Sequence, residues 1–291
     1  MASEDSRSFS PWRLDSWKDR GVNLAIQQGK RAAQKRYTRF WHFVDLLAYH
    51  FHRYYQNSNY DFETNGELRA IQVLSKFDLN CIFDVGANVG EWSCLARQHC
   101  PDAQIHAFEI ADPTFQQLSD NIGDAPNTVI NNCGLADVPG IIPLHFVEKD
   151  SVLSSAVKVI FEENSQTIDA SVATGDDYLE NNHLDSIDLL KIDTEGMDGK
   201  VLQGFSKTLK TGKIRFIQFE YGIHNIYANF LLKDFYALLE AHGYQLGKIY
   251  PRYVDFHDYS WYYEDFIGPN YLAVLAHETD AIKALENPSF R

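Results

Sequence analysis

Four acidic side chains stand at or just past the ends of apolar runs: Asp84 in CIFDV, Glu109 in AQIHAFE, Asp193 after LLKI and Glu220 in FIQFE. If those runs are strands, the sheet fixes the carboxylates along the edge where ligands collect in open α/β folds. Carboxylates so placed can accept hydrogen bonds from hydroxyl groups, take up a proton or ligate a hard cation. Asp84 passes directly into the turn VGANVG, which carries Gly86 and Gly90. A buried strand feeding a tight turn and then a helix brings a nucleotide-like ligand close to backbone. Glu109 follows Asp84 by 25 residues, a spacing that suits hydrogen bonds from ribose hydroxyls.

The turn has no GxxxxGK[ST] pattern and so no basic cradle for a triphosphate. Asn88 stands where a nicotinamide-type fingerprint has its second glycine. A side chain there crowds a pyrophosphate, but asparagine tolerates left-handed backbone and can hydrogen-bond a small zwitterionic cofactor. S-adenosylmethionine fits that description.

The second pair of acids sits in LLKIDTEGMD, with Asp193 and Glu195, and in FEYGIH, with Glu220 and then His224. Carboxylates at neighbouring strand ends can orient a substrate hydroxyl, or hold a divalent metal such as magnesium with Asp193 and Glu220 as ligands. They can equally form a network that caps helix N-termini. His224 titrates near neutrality when free and is a candidate general base beside Asp193 and Glu220. Lys191 lies inside the apolar strand, where its ammonium requires a carboxylate partner.

The elements that position these residues read as alternating strands and helices from Asn80 onward. Strands are expected at Cys81 to Val85, Gln104 to Glu109, Thr128 to Asn132, Ile187 to Ile192, Ile214 to Phe219, Tyr244 to Tyr250 and Tyr271 to Ala276. Helices are expected at Val89 to Gln98, Pro113 to Ile122, Asp198 to Leu209 and Ala228 to Ala241. Such alternation implies a parallel sheet covered on both faces. Ile141 to Asp176 alternates over short stretches, as a hairpin insertion does. The connection PRYVDFHDYSWYYEDFIGPN is rich in aromatics, and Tyr253, Tyr259 and Trp261 can stack on a ring-bearing substrate or pack into a small core of their own.

At 291 residues, with 45% hydrophobic and 14% aromatic content, the chain can bury one substantial core and a small helical addition. The net charge of -14 disfavours broad attraction to nucleic acid or an anionic membrane. MASEDSRSFS has no secretory apolar region and no run reaches 18 apolar residues, so the expectation is a cytoplasmic protein with no transmembrane segment. Four cysteines without a CxxC pair imply free thiols. The domain organisation expected is a flexible arm at 1–20, a helical extension at 21–76 and a cofactor-binding domain at 77–291. In the extension, Phe40, Phe43, Val44, Leu47 and Phe51 recur at helical spacing after the basic stretch KRAAQKRYTR. That stripe needs a cover, and a homo-oligomer contact through these helices is one candidate.

Taken in order, DVGANVG, AFE, NCGLAD, DDYL, LLKIDTEG and FEYG resemble the FkbM-type methyltransferase family over about Phe77 to Ala276. The resemblance implies a class I, Rossmann-like methyltransferase fold with a seven-stranded, mostly parallel sheet, and transfer of a methyl group from S-adenosylmethionine to a hydroxyl of a glycan or other small metabolite. It implies Asp84, Gly86, Asn88 and Gly90 around the methionine moiety and Glu109 at the ribose. Gly134, Leu135 and Ala136 would lie near the adenine, and Asp193 and Glu195 at the reaction face, with Glu195 toward the acceptor. The sequence departs from the family pattern after Glu109, where Ile110 replaces the usual proline. A noncatalytic binding protein that keeps the cofactor fold is the alternative reading.

Overall fold

The computed structural model describes residues 16–146, 166–287 and 289. The chain divides into two compact units, Met1–Gln56 and Asn57–Arg291. The first contains helices α1 (Ser16–Gln34) and α2 (Arg39–Tyr55). α1 begins inside the segment expected to be an arm; the remainder of that arm lies outside the described residues.

In the second unit, α3 (Glu67–Leu74) precedes β1 (Cys81–Val85), α4 (Glu91–His99), β2 (Gln104–Phe108), α5 (Asp112–Ile122) and β3 (Thr128–Asn131). A side sheet follows, of β4 (Gly134–Leu135), β5 (Gly140–Phe146) and β6 (Gln166–Ala173), with β5 antiparallel to β6 as a hairpin insertion requires. The stretch between β5 and β6, where the expected FVEKDSVLS alternation falls, lies mostly outside the described residues. The chain returns through α6 (Gly175–Asn181), β7 (Ile187–Ile192), α7 (Asp198–Gln203), α8 (Ser206–Lys210) and β8 (Ile214–Glu220). It closes with α9 (His224–Ala228), α10 (Leu232–Glu240), β9 (Tyr244–Tyr250), β10 (Tyr253–Phe256), β11 (Asn270–Leu275) and α11 (Thr279–Glu286).

The main sheet has the order β10-β9-β11-β8-β7-β1-β2-β3. β1, β2, β3, β7 and β8 run parallel, and β11 is antiparallel to both β8 and β9. The sheet therefore has eight strands where seven were expected. The extra strand is β10: the aromatic connection doubles back on β9 at Tyr253–Tyr250 before crossing to β11.

Apolar residues on both faces of the strands build two cores. Leu190, Phe83 and Ile217 pack with Val201, Phe205, Phe235 and Leu239 on one side. Leu189, Ile82 and Phe216 pack with Ile71, Leu74, Leu95 and Leu285 on the other. Adjacent residues of β7 thus face opposite cores, the period-two geometry of a strand buried on both faces. Because α3 contributes Ala70, Ile71, Val73 and Leu74 to the second core, the compact unit begins at Asn57 and not at Phe77.

Of the expected helices, 198–209 is broken in two, and 228–241 starts late, at Leu232, after a separate short α9. Gly204 ends α7 where an added Cβ would lie 2.1 Å from the Ala136 carbonyl oxygen, so the backbone passes too close to continue with a side chain. Asn229, at φ 55, takes the left-handed conformation that stops α9, and Asp234 then accepts the Leu231 N–H at 2.8 Å to start α10.

Candidate functional site

The carboxyl ends of β1, β2 and β7 open into a cavity of about 280 Å³. Its lining includes Gly86, Asn88, Glu109, Gly134, Leu135, Asp193 and Glu195, seven of the residues singled out in the sequence.

The glycine turn works by close approach between strands. Gly86 has φ 79, and a Cβ on it would lie 1.9 Å from the Asp193 carbonyl oxygen. Only glycine lets the turn after β1 lie against the turn after β7. Gly90, at φ 91, serves the helix side: a Cβ there would meet Leu118 at 2.9 Å. Gly90 does not line the cavity. Asn88 takes φ 49, the left-handed backbone that its residue type tolerates.

Glu109 holds this turn in place. One carboxylate oxygen accepts the Asn88 N–H at 3.0 Å and the other accepts the Ala111 N–H at 2.8 Å. Each oxygen keeps a lone pair for a further donor. Burial pushes the Glu109 carboxyl above the ordinary range, against the pull of the two N–H bonds. Its wall continues through Ile110, Gly134, Leu135, Ile142, Leu144 and Val172, an apolar slot of the kind a flat ring enters. Ala136 is buried behind that slot, its N–H bonded to Ala173, and does not line it.

Asp84 is also absent from the lining. It is fully buried, and β1 and β7 pair it in register with Lys191, so both side chains meet across the ladder. The Lys191 ammonium lies 3.1 Å from Asp84 and 3.5 Å from Asp193, and donates to the Gly86 carbonyl at 3.2 Å. Ser93 donates to the other Asp84 oxygen at 2.7 Å. Burial works against the Lys191 charge, but Asp84 and Asp193 outweigh it and hold its pKa above the usual lysine value. Lys191 has the carboxylate partner its sequence context demanded, and through it Asp84 braces the glycine turn.

Beyond β7 and β8 lies an acidic corner, of which Asp193 and Glu195 line the cavity whereas Glu220 and His224 do not. Glu195 sits at φ 52 and its carboxylate meets His224 Nδ1. Asp198 is buried and accepts from the Thr194 hydroxyl at 2.8 Å and from the Glu220 N–H at 3.1 Å. Burial, then Asp193, raises the Asp198 carboxyl to about 6. Burial followed by the charges of Asp193, Glu195 and Asp198 raises Glu220 well above its ordinary value, and burial raises Glu195 against its bond with His224. Glu195, Glu220 and His224 each offer a ligand atom, and these atoms all lie within 4.8 Å of one another. Asp193 is not part of that group; its side chain is 41% exposed and turned toward Lys191.

The three aromatic residues expected at the substrate do not line the cavity. Tyr253 lies in β10 and stacks on Tyr250 with ring centroids 5.5 Å apart. Tyr259 donates to Glu264 at 3.1 Å, while Glu264 accepts the Lys233 N–H at 2.9 Å at the start of α10. Trp261 is 74% exposed. Glu264 draws the connection onto α10, and His257, Tyr263 and Tyr236 stack beneath it. These contacts form a small core under the loop.

Tyr60, Phe62, Glu67 and Trp92 are among the lining residues not singled out as site residues. The first three precede the expected domain start. Glu67 is buried at the N-terminus of α3, accepting from Asn65 and Asn270 at 2.7 Å each and from Gln218 at 2.6 Å. The signal available was an acid opening a helix in TNGELRAIQVL, which reads first as an ordinary helix start.

A sheet of this order, with parallel strands on one side of β1 and β7, an antiparallel β11 and a cavity beside the glycine turn, defines the class I methyltransferase fold. The chain belongs to the Methyltransferase FkbM domain family, whose profile matches residues 84–246. It is 28% identical over 143 residues to the hexuronic acid methyltransferase AglP of Haloferax volcanii, covering 49% of this chain and 56% of that one. It is 30% identical over 153 residues to methyltransferase sdnD of Sordaria araneosa, covering 42% and 59%. The chain therefore spans less than two thirds of each of these two relatives. Among solved structures, methyltransferase FkbM of Methylobacillus flagellatus is similar at 16% identity and a TM-score of 0.44, over 67% of this chain and 43% of that one.

Proposed function

We propose that this chain is an S-adenosylmethionine-dependent O-methyltransferase whose acceptor is a hydroxyl of a glycan or other small metabolite. The observation that carries the reading is a cavity lined by the glycine turn and Glu109 together with Asp193 and Glu195. The matched relatives, a hexuronic acid methyltransferase and a 31-O-demethyl-FK506 methyltransferase of Streptomyces tacrolimicus, support an oxygen acceptor.

The residues fit S-adenosylmethionine. Glu109 retains acceptor capacity for ribose hydroxyls, and Gly134 with Leu135 borders an apolar slot for the adenine. Asn88 and the turn at Gly86 face the methionine portion, with Lys191 also in the lining and Asp84 buried behind it. The bound cofactor supplies an electrophilic methyl group on a positively charged sulfur.

The chain's own part is to hold an acceptor hydroxyl in line and to receive its proton. His224 is the base we favour: Glu195, which lines the cavity, engages Nδ1 and fixes the ring beside it. Burial and the neighbouring charges raise the Glu220 carboxyl, which lies outside the cavity lining and within reach of Glu195 and His224. Asp193 lines the cavity and suits positioning of the acceptor hydroxyl.

A second reading adds a divalent cation held by Glu195, Glu220 and His224. A set of two oxygens and one imidazole nitrogen suits manganese, iron or zinc better than magnesium, which prefers oxygen throughout. A rise in thermal midpoint on adding manganese, absent in Glu220→Gln, would support it.

The test of the main reading is transfer of labelled methyl from S-adenosylmethionine to a panel of uronic acids, sugars and polyketide alcohols. Transfer to oxygen that falls at least about a hundredfold in His224→Ala supports the assignment. Cofactor binding with no transfer across the panel would favour a binding protein that keeps the fold.

A further inference from the structure

The surface of α2 is unlike the rest of the chain in both polarity and charge. None of its residues is buried. Phe40, Phe43, Leu47, Phe51, Tyr54 and Tyr55 recur along one side at helical spacing, and each is more than half exposed. The opposite side carries His42, Asp45, His52 and Arg53, the last bonded to Tyr49 at 3.0 Å. Five cations, Lys30, Arg31, Lys35, Arg36 and Arg39, are exposed just before the stripe. Between residues 21 and 56 there are six Lys and Arg residues against one acid, Asp45, although the whole chain carries a net charge of -14.

We propose that α2, with the cationic end of α1, docks on the surface of an anionic phospholipid bilayer. At 17 residues the helix is about 25 Å long. No helix among the described residues is long and apolar enough to cross a membrane, so α2 lies in the plane of the interface. The stripe is mostly aromatic, the side-chain class that prefers the headgroup level, where a ring contacts acyl chains and a hydroxyl stays wet. The adjacent cations complement lipid phosphate and carboxylate groups. A parallel pairing of α2 with that of a second copy is a poorer fit, because it would bring two sets of these cations together. Docking would place the cavity-bearing unit next to acceptors carried on lipid.

The test is sedimentation of the full chain with vesicles of phosphatidylcholine alone or mixed with phosphatidylglycerol. The protein is expected to pellet with the mixed vesicles and to be released as sodium chloride rises. Replacing Lys30, Lys35 and Arg36 with glutamine should weaken that binding by about a hundredfold. The variant Phe43→Glu/Phe51→Glu should abolish it while leaving S-adenosylhomocysteine affinity and circular dichroism unchanged. Equal partitioning onto the two vesicle types, no binding to either, or unaltered binding of the glutamate variant would overturn the proposal. So would light scattering that finds a dimer which the glutamate variant converts to monomer and which no vesicle displaces.

Discussion

Gly86 and Asp193, on neighbouring strand ends, approach so closely that a methyl group on Gly86 would stand 1.9 Å from the Asp193 carbonyl oxygen. This contact joins the cofactor end of the cavity to its reaction end. Gly86→Ala is expected to cost about 2 kcal/mol or more of stability, from the positive φ and the forced separation of the two turns. Urea unfolding measures the loss, and an unchanged midpoint would refute the close approach.

Lys191 is the common partner of Asp84, Asp193 and the Gly86 carbonyl. Lys191→Met leaves Asp84 buried without its cation, and is expected to destabilise the fold by about 3 kcal/mol. The double variant Asp84→Asn/Lys191→Met should recover part of that loss, because the unpartnered acid is gone. A double-mutant cycle with no coupling would show that the pair contributes nothing.

His106 is buried among Phe83 and Tyr178, with Nδ1 2.8 Å from the Tyr178 hydroxyl. Burial lowers its pKa from 6.5 to about 4. A histidine whose folded pKa is depressed contributes stability that is full above 6.5 and is lost as the pH falls through 6.5 toward 4. His106→Phe should therefore flatten the decline in unfolding free energy over that window, at a cost of about 1 kcal/mol at pH 7 for the lost hydrogen bond. Parallel wild-type and variant slopes would contradict the assignment.

Asp198 accepts backbone N–H groups on both carboxylate oxygens, from Thr194 and Glu220. Asp198→Asn places an amide N–H against one of these donors, so the turns after β7 and β8 should move apart. The expected outcome is a fall in turnover with little change in cofactor affinity, read from saturation kinetics beside calorimetry. Full turnover would remove Asp198 from the account.

Much of the positioning frame was legible because its residues obey short-range rules. β7 and β9 have the bounds their apolar runs gave, and Lys191 in an apolar strand forecast an acidic partner. The glycine turn was readable from residue type alone, since few side chains tolerate left-handed backbone. Tyr60 and Phe62 escaped because they reach the cavity through tertiary packing of an irregular segment that has no periodicity, and Glu67 because it opens α3 and reads as an ordinary helix start. The aromatic connection gave a strong composition signal with two meanings. Glu264, capping α10 and accepting from Tyr259, decides between them by drawing the loop onto the helix.

The most direct measurement is calorimetric titration of S-adenosylhomocysteine into the wild-type chain and into Glu109→Ala. Saturable binding of one ligand per chain, weakened at least about tenfold in the variant by loss of charge-assisted hydrogen bonds, is the predicted result. Absence of binding, or equal affinity in the two proteins, would contradict the assignment of this cavity to the cofactor.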